Sequence, residues 1–311
     1  NYRFGKFNMI SYPWLEKLHS NLSKLPNLLI VEGPAGYGKF ETVYERTIKI
    51  FCEEKTGCDT CYQCSLVKSG NHPDLLVIDQ ENDLIGVDEG RKLIEFMSLT
   101  SSSSPSKVAL INNANLMNKP AQNSILKITE EINLKNHIIF ISNRPKSLLS
   151  TIYSRCQQIN ISPLSFNQIN EWLRSLGYDE TVFNFPSYFS PKDIINAINN
   201  GERDTYKNFL NTMDSNQSFA DQLSFFKELK MPYLNKIDYL IDYVILLIGR
   251  NTQFYSSNST TNRYDSIKLQ NLSQFASHLI NYKGRLLSIK SLNEQIGIGY
   301  FLSKLHHIKE N

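Results

Sequence analysis

Short apolar runs alternate with helically spaced segments through the first half of the chain. Asn27 to Glu32 is an apolar run that ends in a glycine-rich turn, and a helix is expected from Lys39 to about Glu53. Leu75 to Asp79, Lys107 to Asn112, Ile138 to Ser142 and Gln157 to Ile161 read as further strands. Between them, Val87 to Thr100 places Leu93, Ile94 and Met97 on one side, and Asn118 to Glu131 spaces Ala121, Ile125 and Ile128 for one helical face. Ser101 to Ser106 is a polar loop of serines with one proline. Strands alternating with helices predict a mostly parallel sheet covered on both faces, with right-handed crossovers.

The pattern changes near Ser162-Pro163. Beyond it the periodicity is helical, with Phe166 to Leu176 and Pro191 to Asn199 forming a small unit. Longer helices are expected at Gln217 to Leu229, Tyr233 to Arg250, Ser266 to Asn281 and Leu292 to His307, with Asn251 to Arg263 as a polar loop.

Composition narrows the class. Of 311 residues, 41% are hydrophobic and 20% charged, a balance that suits a globular chain of two or three domains. No apolar run reaches about 18 residues, so no spanning helix and no membrane partner are expected. The net charge of +3 neither demands nor excludes nucleic acid. Asn1 to Asn8 precede Met9 and read equally as native sequence or as an upstream extension.

Residues 33 to 40 read Gly-Pro-Ala-Gly-Tyr-Gly-Lys-Phe, which fits G-x-x-x-x-G-K between a strand and a helix. In such a loop Gly33, Gly36 and Gly38 let backbone N–H groups converge on phosphate oxygens, and Lys39 adds a positive charge. Phe40 stands where a hydrolysing loop carries a Ser or Thr hydroxyl for magnesium. The strand Val108 to Ile111 runs into Asn112-Asn113-Ala114-Asn115 where such an enzyme carries acids. Phosphoryl transfer needs metal-held charge and an oriented nucleophile, and both are undercut together. Inert nucleotide binding and an empty loop both stay open.

Four of the five cysteines fall within thirteen positions as Cys52, Cys58, Cys61 and Cys64. The spacing C-x5-C-x2-C-x2-C favours one closed, tetrahedral, structural zinc site. An iron–sulfur cluster and disulfides are the weaker alternatives. The tight cluster and the lack of a secretory segment point to the cytoplasm. His72 belongs to His72-Pro73-Asp74, read as a turn into the second strand and left outside the ligand set.

Together, Tyr12-Pro13-Trp14, the altered phosphate loop, the cysteine cluster, His72-Pro73-Asp74, Asn123-Ser124-Ile125-Leu126-Lys127 with Glu130-Glu131, and Ser154-Arg155-Cys156 are specific. They resemble the bacterial DNA polymerase III clamp loader, its delta-prime subunit family most of all, over about Tyr12 to Ile161. The resemblance implies an α/β AAA+ P-loop domain with a zinc-binding insert over residues 1–163. It implies a small helical lid over 164–203 and an all-α C-terminal collar over 204–311. It further implies a pentameric ring of motor subunits and a delta-like subunit, which loads the sliding clamp onto primed DNA as part of a DNA-directed DNA polymerase holoenzyme. Members of this family typically lack ATPase activity, in keeping with Phe40 and Asn112-Asn113.

By the same resemblance, Arg155 reaches a neighbour's ATP as an arginine finger. From the residues alone, Arg155 is an arginine that ends a short helix and caps carbonyls, with Cys156 as a small core residue. Asn143 matches the family's sensor position. Lys192, near the family's second sensor, reads as a solvated lysine, and Ile132 replaces a common proline. Two other functions are carried alongside: an active AAA+ ATPase motor subunit, and an independent zinc-containing nucleic-acid-binding protein.

Overall fold

The computed structural model describes residues 12–16, 18, 25–80, 83–215, 218–257, 263–288 and 294–310. The expectation about Asn1 to Asn8 lies outside these residues. The chain divides into two compact units, residues 1–172 with 190–192 and residues 173–189 with 193–311.

In the first unit the apolar runs become strands β1 (Leu28–Glu32), β2 (Leu75–Ile78), β3 (Val108–Ile111), β4 (His137–Ser142) and β5 (Gln157–Asn160). They form one sheet in the order β2-β3-β4-β1-β5. Every pairing is parallel. Successive side chains of a strand point to opposite faces. Leu28, Ile30, Ala109, Ile111, Ile138 and Phe140 share one apolar core with Leu93, Met97, Ala121 and Ile125. The alternate positions Leu29, Val31, Leu110, Ile139 and Ile141 are buried as well. Burial on both alternations is what a sheet covered on both faces requires, and it explains why these strands read as continuous apolar runs.

The connecting helices are α1 (Lys39–Phe51), α2 (Tyr62–Lys68), α3 (Val87–Ser98), α4 (Lys119–Ser124), α5 (Leu126–Glu130) and α6 (Ser150–Tyr153). The helix expected over Asn118 to Glu131 is interrupted at Ile125, which separates α4 from α5. Hydroxyls near the break turn back onto the chain: Ser124 Oγ donates to the Ala121 carbonyl at 2.8 Å, and Thr129 Oγ1 to the Leu126 carbonyl at 2.7 Å. Such local bonds compete with the helical ladder.

The serine loop has a structural reason. Asp74, buried just before β2, accepts from the N–H groups of Ser102, Ser103 and Ser104 at 2.8, 2.8 and 2.9 Å. The hydroxyls of Ser103 and Ser104 also donate to it. Burial alone would raise the Asp74 pKa; the serine donors outweigh it and hold the carboxyl below the usual range.

Beyond the sheet the chain is helical: α7 (Phe166–Ser175), α8 (Pro191–Asn199), α9 (Thr205–Asp214), α10 (Phe219–Glu228), α11 (Tyr233–Ser257), α12 (Arg263–Ser288) and α13 (Glu294–Glu310). The second unit is built on buried Tyr206, Phe209, Phe226, Tyr243, Phe275 and Phe301. Asp242, buried among them, accepts from the Tyr206 hydroxyl and from Ser187. The polar loop expected over Asn251 to Arg263 is helical through Ser257 and again from Arg263. Residues 258–262 of that expectation lie outside the described ones. Extending an already formed helix costs far less than nucleating one, so weak helix formers follow the packed turns before them. No helix among the described residues is long and apolar enough to cross a membrane.

Candidate functional site

Parallel strands deliver their C-terminal ends to one edge of the sheet, where α/β folds build their sites. Here β1 leads into the phosphate loop, β3 into Asn112-Asn113 and β4 into Asn143. Gly36 (φ +69°) and Gly38 (φ +77°) hold left-handed backbone, which side chains disfavour. A Cβ on Gly38 would lie 2.3 Å from the Tyr12 ring, and one on Gly36 would lie 1.9 Å from Ser190 Oγ. The loop geometry therefore needs these glycines, and the chain's own side chains pack directly over them.

Lys39 opens α1 and is buried at 3% exposure. Its ammonium donates to the carbonyls of Gly33 (2.9 Å) and Pro34 (2.5 Å) and to Asn143 Oδ1 (2.8 Å). All three bonds fall within its own chain. Burial lowers its pKa to about 8, with Glu41 opposing. From Asn143 the network continues through Nδ2 to Asn113 Oδ1 (2.7 Å), and from Asn113 Nδ2 to Asp79 Oδ1 (3.2 Å) and the Gln80 carbonyl (3.0 Å). Asn113 sits in left-handed backbone at φ +51°, which Asn tolerates better than most residues. Asn115 Oδ1 accepts from the Asn143 N–H at 2.9 Å. The asparagines at the strand ends thus form a neutral amide relay that joins Lys39 to Asp79. Phe40, at the position of the magnesium-binding hydroxyl, stacks on Tyr44 with ring centroids 5.7 Å apart.

At the other end of α1 lies the cysteine cluster. Cys52 caps that helix, and Cys61 caps α2 and accepts from the Cys64 N–H. Left-handed backbone at Lys55, Gly57 and Asp59 turns the intervening segment back on itself. The four sulfur atoms all lie within 4.8 Å of one another, with Cys52 and Cys58 3.6 Å apart. Sulfurs about 2.3 Å from a central zinc in tetrahedral array stand about 3.8 Å from each other, so this donor set fits a metal ion. All four are free thiols. The Cys58 N–H, followed by those of Gly57, Glu54 and Thr56, pulls the Cys52 thiol down to about 5 against the effect of burial. Burial pushes Cys64 up to about 12. A bound cation would deprotonate such a thiol outright. His72 keeps out of the cluster. Its Nε2 pairs with Gln63 Oε1 at 2.9 Å, its Nδ1 accepts from the Asp74 N–H at 3.1 Å, and its ring stacks on Phe51.

Arg155 follows the single turn of α6. Its Nη1 donates to the Thr151 carbonyl at 2.5 Å, and its Nη2 is paired with the Glu130 carboxylate. The side chain remains 31% exposed. It therefore does cap a helix-end carbonyl, as the residues alone suggest, while keeping an accessible guanidinium. Cys156 beside it is buried, and burial pushes its thiol up to about 12. Lys192, expected to be free in solvent, is ion-paired to Glu41 at 2.5 Å, and its N–H donates to the Gly36 carbonyl at 3.1 Å.

Two groups of residues were not assigned a role from sequence. Tyr12, Trp14, Tyr37 and Trp172 form an aromatic cluster beside the phosphate loop, in which the Trp14 indole donates to the Tyr37 carbonyl at 3.0 Å. Tyr12-Pro13-Trp14 was the visible signal for it. Glu32, buried at the end of β1, accepts from the Tyr153 hydroxyl and the Lys146 N–H, and so ties α6 to the sheet. A lone acid ending a strand gave no signal.

The family model described as DNA polymerase III, delta subunit matches residues 13–165. The chain is 32% identical over 163 residues to DNA polymerase III subunit delta' of Bacillus subtilis (strain 168), covering 51% of this chain and 50% of that protein. It is 34% identical over 155 residues to the Pseudomonas aeruginosa protein of the same name, covering 47% of each. The namesake from Buchnera aphidicola subsp. Schizaphis graminum is 27% identical over 313 residues, covering 96% of this chain and 92% of that protein. The chain thus spans about half the length of the first two relatives in these matches and nearly all of the third. The segment matched by the family model holds the phosphate loop, the four cysteines and Arg155 alike, and over that segment the chain is similar to the DNA polymerase III delta-prime subunits.

Proposed function

We propose that this chain is a non-hydrolysing subunit of the DNA polymerase III clamp loader, one that lends Arg155 to the ATP of a neighbouring motor subunit. Its first 163 residues act as an AAA+ domain, residues 164–203 as a lid, and residues 204–311 as the collar that joins a pentameric ring. Within that ring it supports loading of the sliding clamp onto primed DNA in the cytoplasm. One structural zinc ion on Cys52, Cys58, Cys61 and Cys64 stiffens the turn that leaves α1.

The observation that carries this reading is the engagement of Lys39. Its three hydrogen bonds go to Gly33, Pro34 and Asn143. The neighbouring positions hold Phe40 and Asn113, neither of which offers a magnesium ligand of the kind phosphoryl transfer uses. In the same unit Arg155 keeps a partly exposed guanidinium, and a planar positive fork is suited to phosphate. The chain's own loop is thus poorly equipped for turnover, while it carries a group that acts on someone else's nucleotide.

The test is to co-purify the chain with candidate clamp-loader subunits and compare the ATPase of the assembled complex with that of an Arg155→Ala complex. Arginine fingers contribute on the order of 10³-fold or more to turnover at their site, so a large fall with assembly intact is expected. Unchanged ATPase rejects the finger role.

A further inference from the structure

We infer that Glu130 is the resting counter-ion of Arg155, and that the phosphate of a neighbouring subunit must displace it before the arginine can act. This rests on the finger reading above and adds a residue that the sequence marked without assigning it a role.

The argument begins with the local structure. Glu130 ends α5 and Thr151 lies in α6. Helix C-termini carry exposed carbonyls and partial negative charge. A carboxylate at such an end is unfavourable until a cation covers it, and Glu131 follows directly to add a second acid. Arg155 answers both helix ends at once, with Nη2 on the Glu130 carboxylate and Nη1 on the Thr151 carbonyl. Each terminal nitrogen of the guanidinium is therefore engaged within the chain. A bidentate grip on phosphate uses two N–H groups in the plane of the fork, and the Glu130 carboxylate both takes an N–H of Nη2 and repels an incoming phosphate.

The pair is also built to exchange. Glu130 is 51% exposed and Arg155 31% exposed at the side chain. Ion pairs in that setting contribute little, because water and salt screen them. A doubly charged phosphate held by a neighbour is the stronger partner for the same fork. Meanwhile the Tyr153–Glu32 bond anchors α6 to the sheet, so the backbone can stay in place while the guanidinium changes partner. Glu130 thus keeps the finger ordered and discharged in the free chain and sets the threshold for its release.

The experiment uses the assembled complex with ATP and compares wild type, Glu130→Gln, Glu130→Asp and Arg155→Ala. Glu130→Gln keeps an oxygen acceptor and removes the charge. It is expected to lower the KM for ATP about two- to five-fold, the range of an exposed ion pair. Glu130→Asp keeps the charge and is expected to shift KM less than Glu130→Gln does. An unchanged KM in Glu130→Gln, or a fall in kcat, overturns the inference; the latter means that Glu130 holds the arginine during turnover. If Arg155→Ala leaves the ATPase unchanged, the finger reading itself fails, and this inference fails with it. If Arg155→Ala lowers the ATPase while Glu130→Gln changes nothing, only the counter-ion role is lost.

Discussion

Helix α1 joins two sites that use similar means to different ends. At its start the phosphate loop gathers backbone and side-chain donors, and at its end the cysteine turn gathers sulfurs. Over thirteen residues the two lie about 20 Å apart. At the cysteine end four sulfurs converge within 4.8 Å of one another. At the phosphate end the chain supplies its own partners: carbonyls and Asn143 for Lys39, the Tyr12 ring over Gly38, and Ser190 over Gly36. One end brings four potential ligand atoms together, while at the other the chain's own side chains pack over the loop. A motif therefore signals a fold more securely than it signals a ligand, and what fills the site decides between them.

The strongest way to break this contrast is at the cysteine end. Cys64 is fully buried, so Cys64→Ser is expected to reduce zinc from about one ion per chain to none by metal analysis and to lower the melting temperature by more than about 10 °C. A folded, reduced wild-type preparation without zinc would reject the site. A smaller effect is expected from Asp74, which supports the same side of the unit through His72 and the serine loop. Asp74→Ala removes a buried acceptor and leaves several N–H groups without it, at about 2 kcal/mol or a few degrees in thermal melts. Because the folded-state pKa of Asp74 is depressed, its contribution is fully present above the unfolded value near 3.9 and lost as pH falls through the folded one. The stability gap between the wild type and Asp74→Ala should therefore stay constant above that range and shrink as pH falls through it.

The smallest effect is at the phosphate end. An unfolded lysine keeps its proton to about pH 10.4, whereas Lys39 releases its proton near 8 in the folded chain. Between those values the unfolded state binds more protons, so this group makes stability rise with pH across that window. Lys39→Met should abolish the rise, measured as the pH dependence of the melting temperature from 8 to 10. A wild-type curve that is flat there would mean that Lys39 is not buried as a cation.

Much of this was legible in the sequence, for physical reasons. The central strands β1, β3 and β4 are buried on both alternations, so their apolar runs were continuous and easy to place. The glycines, Lys39 and the four cysteines follow spacings that chemistry constrains tightly. The helix break at Ile125 was hidden, because the hydroxyls of Ser124 and Thr129 act locally while the apolar spacing runs on unbroken. The length of α11 was hidden too, since Asn251 to Ser257 continue a helix that their own propensities would not start. Pairings distant in sequence, such as Arg155 with Glu130 or Tyr153 with Glu32, leave no periodic trace. The asparagines after β3 were read as the loss of an acid, and their gain, a relay to Lys39, appears only when β3 and β4 lie side by side.

The most direct measurement of the central claim is magnesium-dependent ATP turnover by the isolated chain, wild type beside Lys39→Ala. The account predicts no turnover above background in either protein. Turnover in the wild type that Lys39→Ala abolishes would contradict it and make the chain a motor in its own right.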